Sequence, residues 1–379
     1  MRPRVFVSSV MEGFEEFRQA AKNGIIAAGA EPVLVEDFPA LPVSPRNACL
    51  DGVAGCDIYI AIVGNRGGWT SPSGKLVVEE EYEEARRRRL RILAFIQAVE
   101  RDNDAQNFVT TLSDYVGGVL RPTFATPAEL QTAVELALKP IVHHYTNPKV
   151  EPSMIQDKLI KGHEFKLYNE TCLRFVLAPE RTEEVIDPIF IGSQEFIEHL
   201  YNLGHSTQVR LFSYERPKVT DVGVQEIVII QSDEPRGRES LDEVRLEITV
   251  GGIIIIDANV TGRVARRPDN MDSLFCIYES DLGAVLNKCF AFSNAFYAAK
   301  DPYSRYDRLF YNVGLSGIGH RNLVSQPPQG STYFLANRIE DVVPAFDKPR
   351  LITRIELASP EEELVRVITL FRRRLKNNS

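Results

Sequence analysis

The sequence predicts a two-domain protein: a doubly wound, parallel α/β sheet over residues 1–146, then a separate α+β domain over 155–379. Three observations carry this. Strand and helix patterns alternate through the first part, the order that gives right-handed crossovers and a parallel sheet. The run Asp57–Val63 (DIYIAIV) is almost wholly apolar, as a strand covered on both faces must be. Beyond Asn147-Pro148 the alternation stops and strands cluster. A chain of 379 residues also suits two domains of ordinary size.

The elements follow in order. Val5–Ser8 is a short apolar strand, and Glu12–Ala30 carries Phe14, Phe17, Ala21, Ile25 and Ala28 at helical spacing, ending near Gly29. Pro32–Val35 makes a second strand, Asn47–Gly55 a short helix, and Asp57–Val63 the third strand. A loop rich in Gly, Ser and Pro runs from Gly64 to Gly74, ahead of a charged helix over Val78–Arg89 and a strand over Ile92–Ile96. A helix near Gln106–Tyr115 and a strand near Gly118–Arg121 come next. Thr126-Pro127 opens a helix reaching about His144, with Thr at the N-cap, Pro in the first helical position and Glu129 in the first turn. Residues 147–154 read as a linker. In the second part, Cys172–Leu177 and Glu226–Ile230 are strands, and Val244–Val250 and Ile253–Val260 form a hairpin through Gly251-Gly252. Helices fall at Ser193–Leu203, Ser280–Ala299 and Ser359–Lys376, the last opening on a capping box of Ser359 and Glu362.

Composition narrows the class without naming a function. Hydrophobic residues at 44% and charged residues at 25% are globular values. A net charge of −8 makes nucleic acid an unlikely partner. No apolar run reaches the ~18 residues that span a bilayer, so no membrane association is expected. The opening MRPRVFVSSV lacks a signal-peptide pattern, and five cysteines without CxxC spacing suit reduced thiols in a cytoplasm.

In a doubly wound sheet, ligands sit beyond the carboxyl ends of the strands where the strand order reverses. With order 2-1-3-4-5, that crevice lies between the first and third strands. Ser8 and Ser9 offer hydroxyls and amides there, suited to an anion or a ribose. From the other loop, Arg66 offers a planar fork to phosphate, Gly67 allows close backbone approach, and Trp69 offers a stacking face. A tight turn with a solvent-facing arginine and a half-buried tryptophan is the competing reading. The following helix holds Glu79, Glu80, Glu81, Glu83 and Glu84 towards its start and Arg86–Arg89 at its end, charges that match the helix dipole in water. Glu81 differs, because Val77, Val78 and Ala85 share its face and turn it inward. A carboxylate in the crevice can align ribose hydroxyls and stabilise an oxocarbenium-like centre. Glu79 is the rival for that role, and a purely structural part for Glu81 stays open.

VFVSS, MEGFEEFRQAAKNGI, CDIYIAIVGNRGG and VVEEEYEEA together resemble an uncharacterised domain family related to TIR domains and nucleoside deoxyribosyltransferases, which share a flavodoxin-like fold. The resemblance covers residues 4–96 and weakens beyond. It implies that Glu81, on the helix after the third strand's loop, matches the catalytic glutamate of those relatives. Val10 stands where the family has a threonine, Val78-Glu79 where it has Thr-Glu, and Gly67 where an aromatic follows the arginine. Members commonly precede NTPase modules, yet no GxxxxGK[ST] follows Lys149.

Elsewhere the signals are weaker. The adjacent His143 and His144 point apart on a helix, and His163, His199, His205 and His320 lack metal spacing, so no metal is expected. Gly314–His320 reads as a flexible turn, and neither Ser273 nor Ser316 has a nucleophile-elbow context. Arg372–Arg374 match the dipole at the end of the last helix. Two functional readings follow. One is a nucleotide N-glycosidase, an NAD-consuming effector of signalling or defence controlled by its C-terminal domain and needing no cofactor. The other is a non-catalytic, TIR-like module that binds a nucleotide such as NAD or self-associates as a homo-oligomer.

Overall fold

The computed structural model describes residues 2–40, 42–116, 123–160, 171–182, 184–214, 216–231, 244–260, 276–301, 305–319, 321–325 and 342–377. The chain divides into two compact units, Met1–Pro148 and Lys149–Ser379.

The first unit is a five-stranded sheet, β1 (Arg4–Ser8), β2 (Glu31–Val33), β3 (Ile58–Val63), β4 (Arg91–Gln97) and β5 (Thr123–Phe124), in the order β2-β1-β3-β4-β5. Every pairing is parallel, and β1 lies beside β3 with Val5 opposite Ile58 and Ser8 opposite Ala61. Alternate residues of each strand serve opposite faces. Val5, Val7, Ile58, Ile60 and Ile62 pack under α1 (Glu15–Ala27) and α5 (Pro127–Thr146). Phe6, Tyr59, Ala61 and Val63 pack under α2 (Pro45–Ala54), α3 (Val77–Arg87) and α4 (Asn103–Val116). All six residues of β3 are buried, which is why the run carries no charged side chain.

Local chemistry sets the element ends. Thr126 caps α5 by accepting from the Glu129 amide at 3.3 Å. Ser44 caps α2 by accepting from the Asn47 amide at 3.2 Å, with Pro45 in the first turn, so this helix begins two residues ahead of the expected Asn47. α1 begins three residues later than expected, because Met11 to Phe14 form a turn closed by the Phe14 amide on the Met11 carbonyl at 3.1 Å. The segment after Val33 is a single 3-10 turn, Val35–Asp37, rather than more strand. The strand expected near Gly118–Arg121 lies outside the described residues.

The second unit is built on an eight-stranded antiparallel sheet. Its main path runs β14 (Val342–Pro344), β12 (Arg308–Ser316), β6 (Cys172–Pro179), β10 (Ile254–Asn259), β9 (Val244–Thr249), β8 (Glu226–Gln231) and β7 (Lys218–Val222), with β15 (Arg350–Thr353) also on β12. β11 (Cys276–Tyr278) and β13 (Asn322–Val324) pair separately, in parallel. The β9–β10 hairpin turns through Gly251-Gly252, and Gly252 has φ +74, the left-handed region that favours glycine. α7 (Gln194–His205) and the helices Glu279–Lys300 and Glu361–Asn377 lie over one face of this sheet, sharing its main apolar core. On the other face, α6 (Pro152–Ile160) packs Ile155 and Leu159 against Val176 and Ala178. Residues 152–154, expected in the linker, are thus the first turn of α6. Thr353 and Glu356 form a capping box on the short helix Arg354–Ala358, and the last helix begins at Glu361. Gly314–Ser316 end β12. His163, Ser273 and His320 lie outside the described residues. All five cysteines are buried. Among the described residues no helix is long and apolar enough to cross a membrane.

Candidate functional site

The sheet order reverses between β1 and β3, and Ser8 stands there, at the carboxyl end of β1. Its side chain is on the Phe6 and Tyr59 side, facing α2 and α3. α3 carries Glu81 to the same point: the Ser8 hydroxyl donates to Glu81 Oε2 at 2.5 Å, within a buried pair. Glu81 is only 5% exposed, with Tyr82 and Ala85 of its helix in the core. The inward face expected from Val77, Val78 and Ala85 is where this carboxyl lies.

The surroundings set its chemistry. Burial pushes the Glu81 carboxyl up to about 7, against the opposing pull of hydrogen bonds from Ser8 and the Cys49 thiol and of the Arg18 charge. Cys49 comes from α2, and burial together with the Glu81 charge pushes its thiol up to about 12. The Tyr59 hydroxyl donates to the Val78 carbonyl at 3.3 Å and is raised well above its ordinary value, chiefly by burial. A carboxyl that titrates near neutrality can hold or release a proton at working pH, the property a general acid or base needs.

A second cluster borders the first. Arg18 of α1 is buried, and its Nη1 donates to Ser9 Oγ at 2.8 Å and to the Ser9 carbonyl at 3.4 Å. Its Nε and Nη2 donate to the two carboxylate oxygens of Glu36 at 2.7 and 2.5 Å. Arg18 falls four residues after Phe14 and three before Ala21, inside the apolar stripe of its helix. A charge in that stripe was the available sign of a buried role.

The remaining candidates are placed differently. Glu79 caps its own helix, its Oε2 accepting from the Leu76 amide at 3.0 Å. Glu80, expected among the solvated charges, is buried and accepts from Arg46 Nε at 2.7 Å, Ser71 Oγ at 2.9 Å and Ser73 Oγ at 2.7 Å. Arg46, then the two serines, hold its carboxyl down to about 2. These bonds fasten the loop after β3 onto α2 and α3. Arg46, Ser73, Lys75, Glu80 and Arg87 line a cleft of about 300 Å³ beside it. The Arg66 guanidinium is exposed and donates to the Glu12 carbonyl at 2.8 Å, tying its loop to the turn before α1. Gly67 does allow a close backbone approach, to the start of α4. A Cβ there would lie 2.5 Å from Asp104 Cβ, and the Gly67 amide donates to the Asp102 carboxylate at 3.2 Å. Trp69 is 85% exposed, so its ring is presented to solvent rather than half-buried.

Two solved structures are similar to part of the chain. One is a Clostridium botulinum CMP N-glycosidase, BcmB, 16% identical over 35% of this chain and 98% of that one, with a TM-score of 0.25. The other is the TIR domains of the activated Roq1 resistosome directly recognizing the pathogen effector XopQ, 15% identical over 35% of this chain and 84% of that one, with a TM-score of 0.23. No curated protein matches the chain. Residues 4–139, the span of the parallel sheet and most of its helices, match the model of a family described as a domain of unknown function, DUF4062.

Proposed function

We propose that the N-terminal unit hydrolyses the N-glycosidic bond of a nucleotide, with NAD as the first substrate to test and Glu81 as its catalytic carboxylate. One observation carries the reading: a buried glutamate with a pKa near 7 is hydrogen-bonded to Ser8 where the sheet order reverses. In the reaction the bond from ribose C1′ to nicotinamide nitrogen breaks and water adds to C1′, giving ADP-ribose, nicotinamide and a proton. The leaving group departs neutral because its own positive charge takes up the bonding electrons. The chain then has to stabilise positive charge on the sugar, and ionised Glu81 does so, oriented by Ser8. Trp69 is the stacking face for the base, and Ser9, Arg66 and Gly67 border the phosphates. The Lys149–Ser379 unit is the sensor or partner-binding module that controls this activity.

A second reading is a binding or self-association module, and the closure of Glu81 by its own chain's Ser8 and Cys49 favours it. Incubating the concentrated full chain with NAD separates the two. Nicotinamide release that is lost in Glu81→Gln supports the enzyme. A change in emission of Trp69, the single tryptophan, with no nicotinamide release supports the binding module.

A further inference from the structure

Arg18 is a buried cation whose charge acts on Glu81. It joins three segments: α1, the turn after β1 through Ser9, and the 3-10 turn after β2 through Glu36. All three meet at the carboxyl ends of β1 and β2, and β1 also borders the crevice where the sheet order reverses and ligands of such a sheet sit. A guanidinium fork buried at that position matches a phosphoryl group as well as a carboxylate, because both present two oxygens in one plane. The fork now holds the Glu36 carboxylate, whose side chain is 36% exposed and sits on a single turn of 3-10 helix. Arg18 itself is 3% exposed. Of the two partners, Glu36 is therefore the one that can leave into water.

The geometry points to Arg18 and Ser9 as the anion subsite of the nucleotide pocket, with Glu36 as an internal stand-in for the ligand's phosphoryl group. The exchange of one anion for another leaves no buried charge uncompensated, whereas simple opening would strand Arg18. It also loosens the turn after β1 that borders Ser8, the partner of the closed Glu81. The inference deepens the nucleotide reading and requires binding only, not cleavage.

The test is calorimetric titration of the full chain with inorganic pyrophosphate and, separately, ADP. Removing the competing carboxylate in Glu36→Gln raises the competent fraction, so pyrophosphate affinity rises by about tenfold or more. Glu36→Asp keeps the charge but shortens its reach, and gives a smaller rise; it also serves if the Gln variant does not fold. Arg18→Lys keeps the charge but loses the fork, and abolishes the gain when combined with Glu36→Asp. ADP binding more tightly than pyrophosphate assigns the phosphoryl group to a nucleotide, and equal affinities assign it to free phosphate. Unchanged affinity in both Glu36 variants, or a gain that survives Arg18→Lys, overturns the subsite. Nicotinamide release is read on the same samples: tightened pyrophosphate binding without release removes the glycosidase alone, and release with unchanged pyrophosphate binding removes the subsite alone.

Discussion

Replacing Glu81 by Gln tests the site through stability, independently of any substrate. Burial lifts the folded-state carboxyl from an ordinary 4.5 to about 7. Below pH 4.5 the carboxyl is neutral in both states and burial carries no charge penalty. Between 4.5 and 7 the unfolded chain releases the proton and the folded chain keeps it, so stability falls as pH rises. Above 7 the folded carboxyl is ionised too and the penalty is complete. At about 1.4 kcal/mol per pKa unit, the loss is about 3 kcal/mol. The Gln side chain keeps the shape and can still accept from Ser8, but it has no charge to bury. Its amide needs an acceptor, a cost that does not vary with pH. Stability of Glu81→Gln relative to the parent should therefore climb by about 2.5 kcal/mol from pH 5 to pH 8, the rest of the penalty being already present at pH 5. For a unit of this size that is roughly 10 °C in Tm. Calorimetry of both full chains at several pH values measures it, and the difference cancels the opposite contributions of Glu36, Glu80 and Glu84, whose carboxyls are held low. A constant offset between parent and variant across pH 5–8 would refute the reasoning.

Other outcomes follow from the same geometry. If ionised Glu81 stabilises the ribosyl cation, kcat/KM for NAD rises with pH through about 7, and Glu81→Gln lowers it by about 10²–10³-fold while removing that inflection. Gly67→Ala forces a Cβ to within 2.5 Å of Asp104 Cβ and 3.1 Å of the Ala105 nitrogen, and should cost about 1–3 kcal/mol in urea unfolding. In the second unit, Arg174 Nε and Nη2 donate to the Asp257 carboxylate at 2.6 and 2.8 Å in the interior. Arg174→Met removes that fork and leaves the buried carboxylate to Arg245 Nη1 at 3.6 Å, which should cost about 3 kcal/mol, whereas adding Asp257→Leu should recover much of the loss in the same assay.

The site was only partly legible in the sequence. Glu81 was legible because helical spacing puts it on the face of Val77, Val78 and Ala85, and spacing is a local property. Glu80 was not, since its neighbours in sequence are charges that suit a solvated first turn. Its burial depends on Arg46 and on Ser71 and Ser73, which arrive from another helix and a folded loop. Gly67 carried the signature of close approach without naming what approaches, and the answer is the start of α4. Arg18 showed as a charge in an apolar stripe, but Ser9 and Glu36 come from the ends of two different strands and no spacing within α1 could identify them.

What the sequence determined by itself was the alternation of elements in the first unit, the third strand covered on both faces and the hairpin at Gly251-Gly252 in the second. Each rests on residues within a few positions of one another: apolar periodicity, caps and glycine at a turn. Tertiary structure alone decided that the Ser8 hydroxyl donates to Glu81, 73 residues away, at 2.5 Å, and that the carboxyl is closed from water. Hydrogen-bond partners and pKa values depend on what the fold brings within a few ångströms and on how much water it excludes, and neither quantity is written in local order.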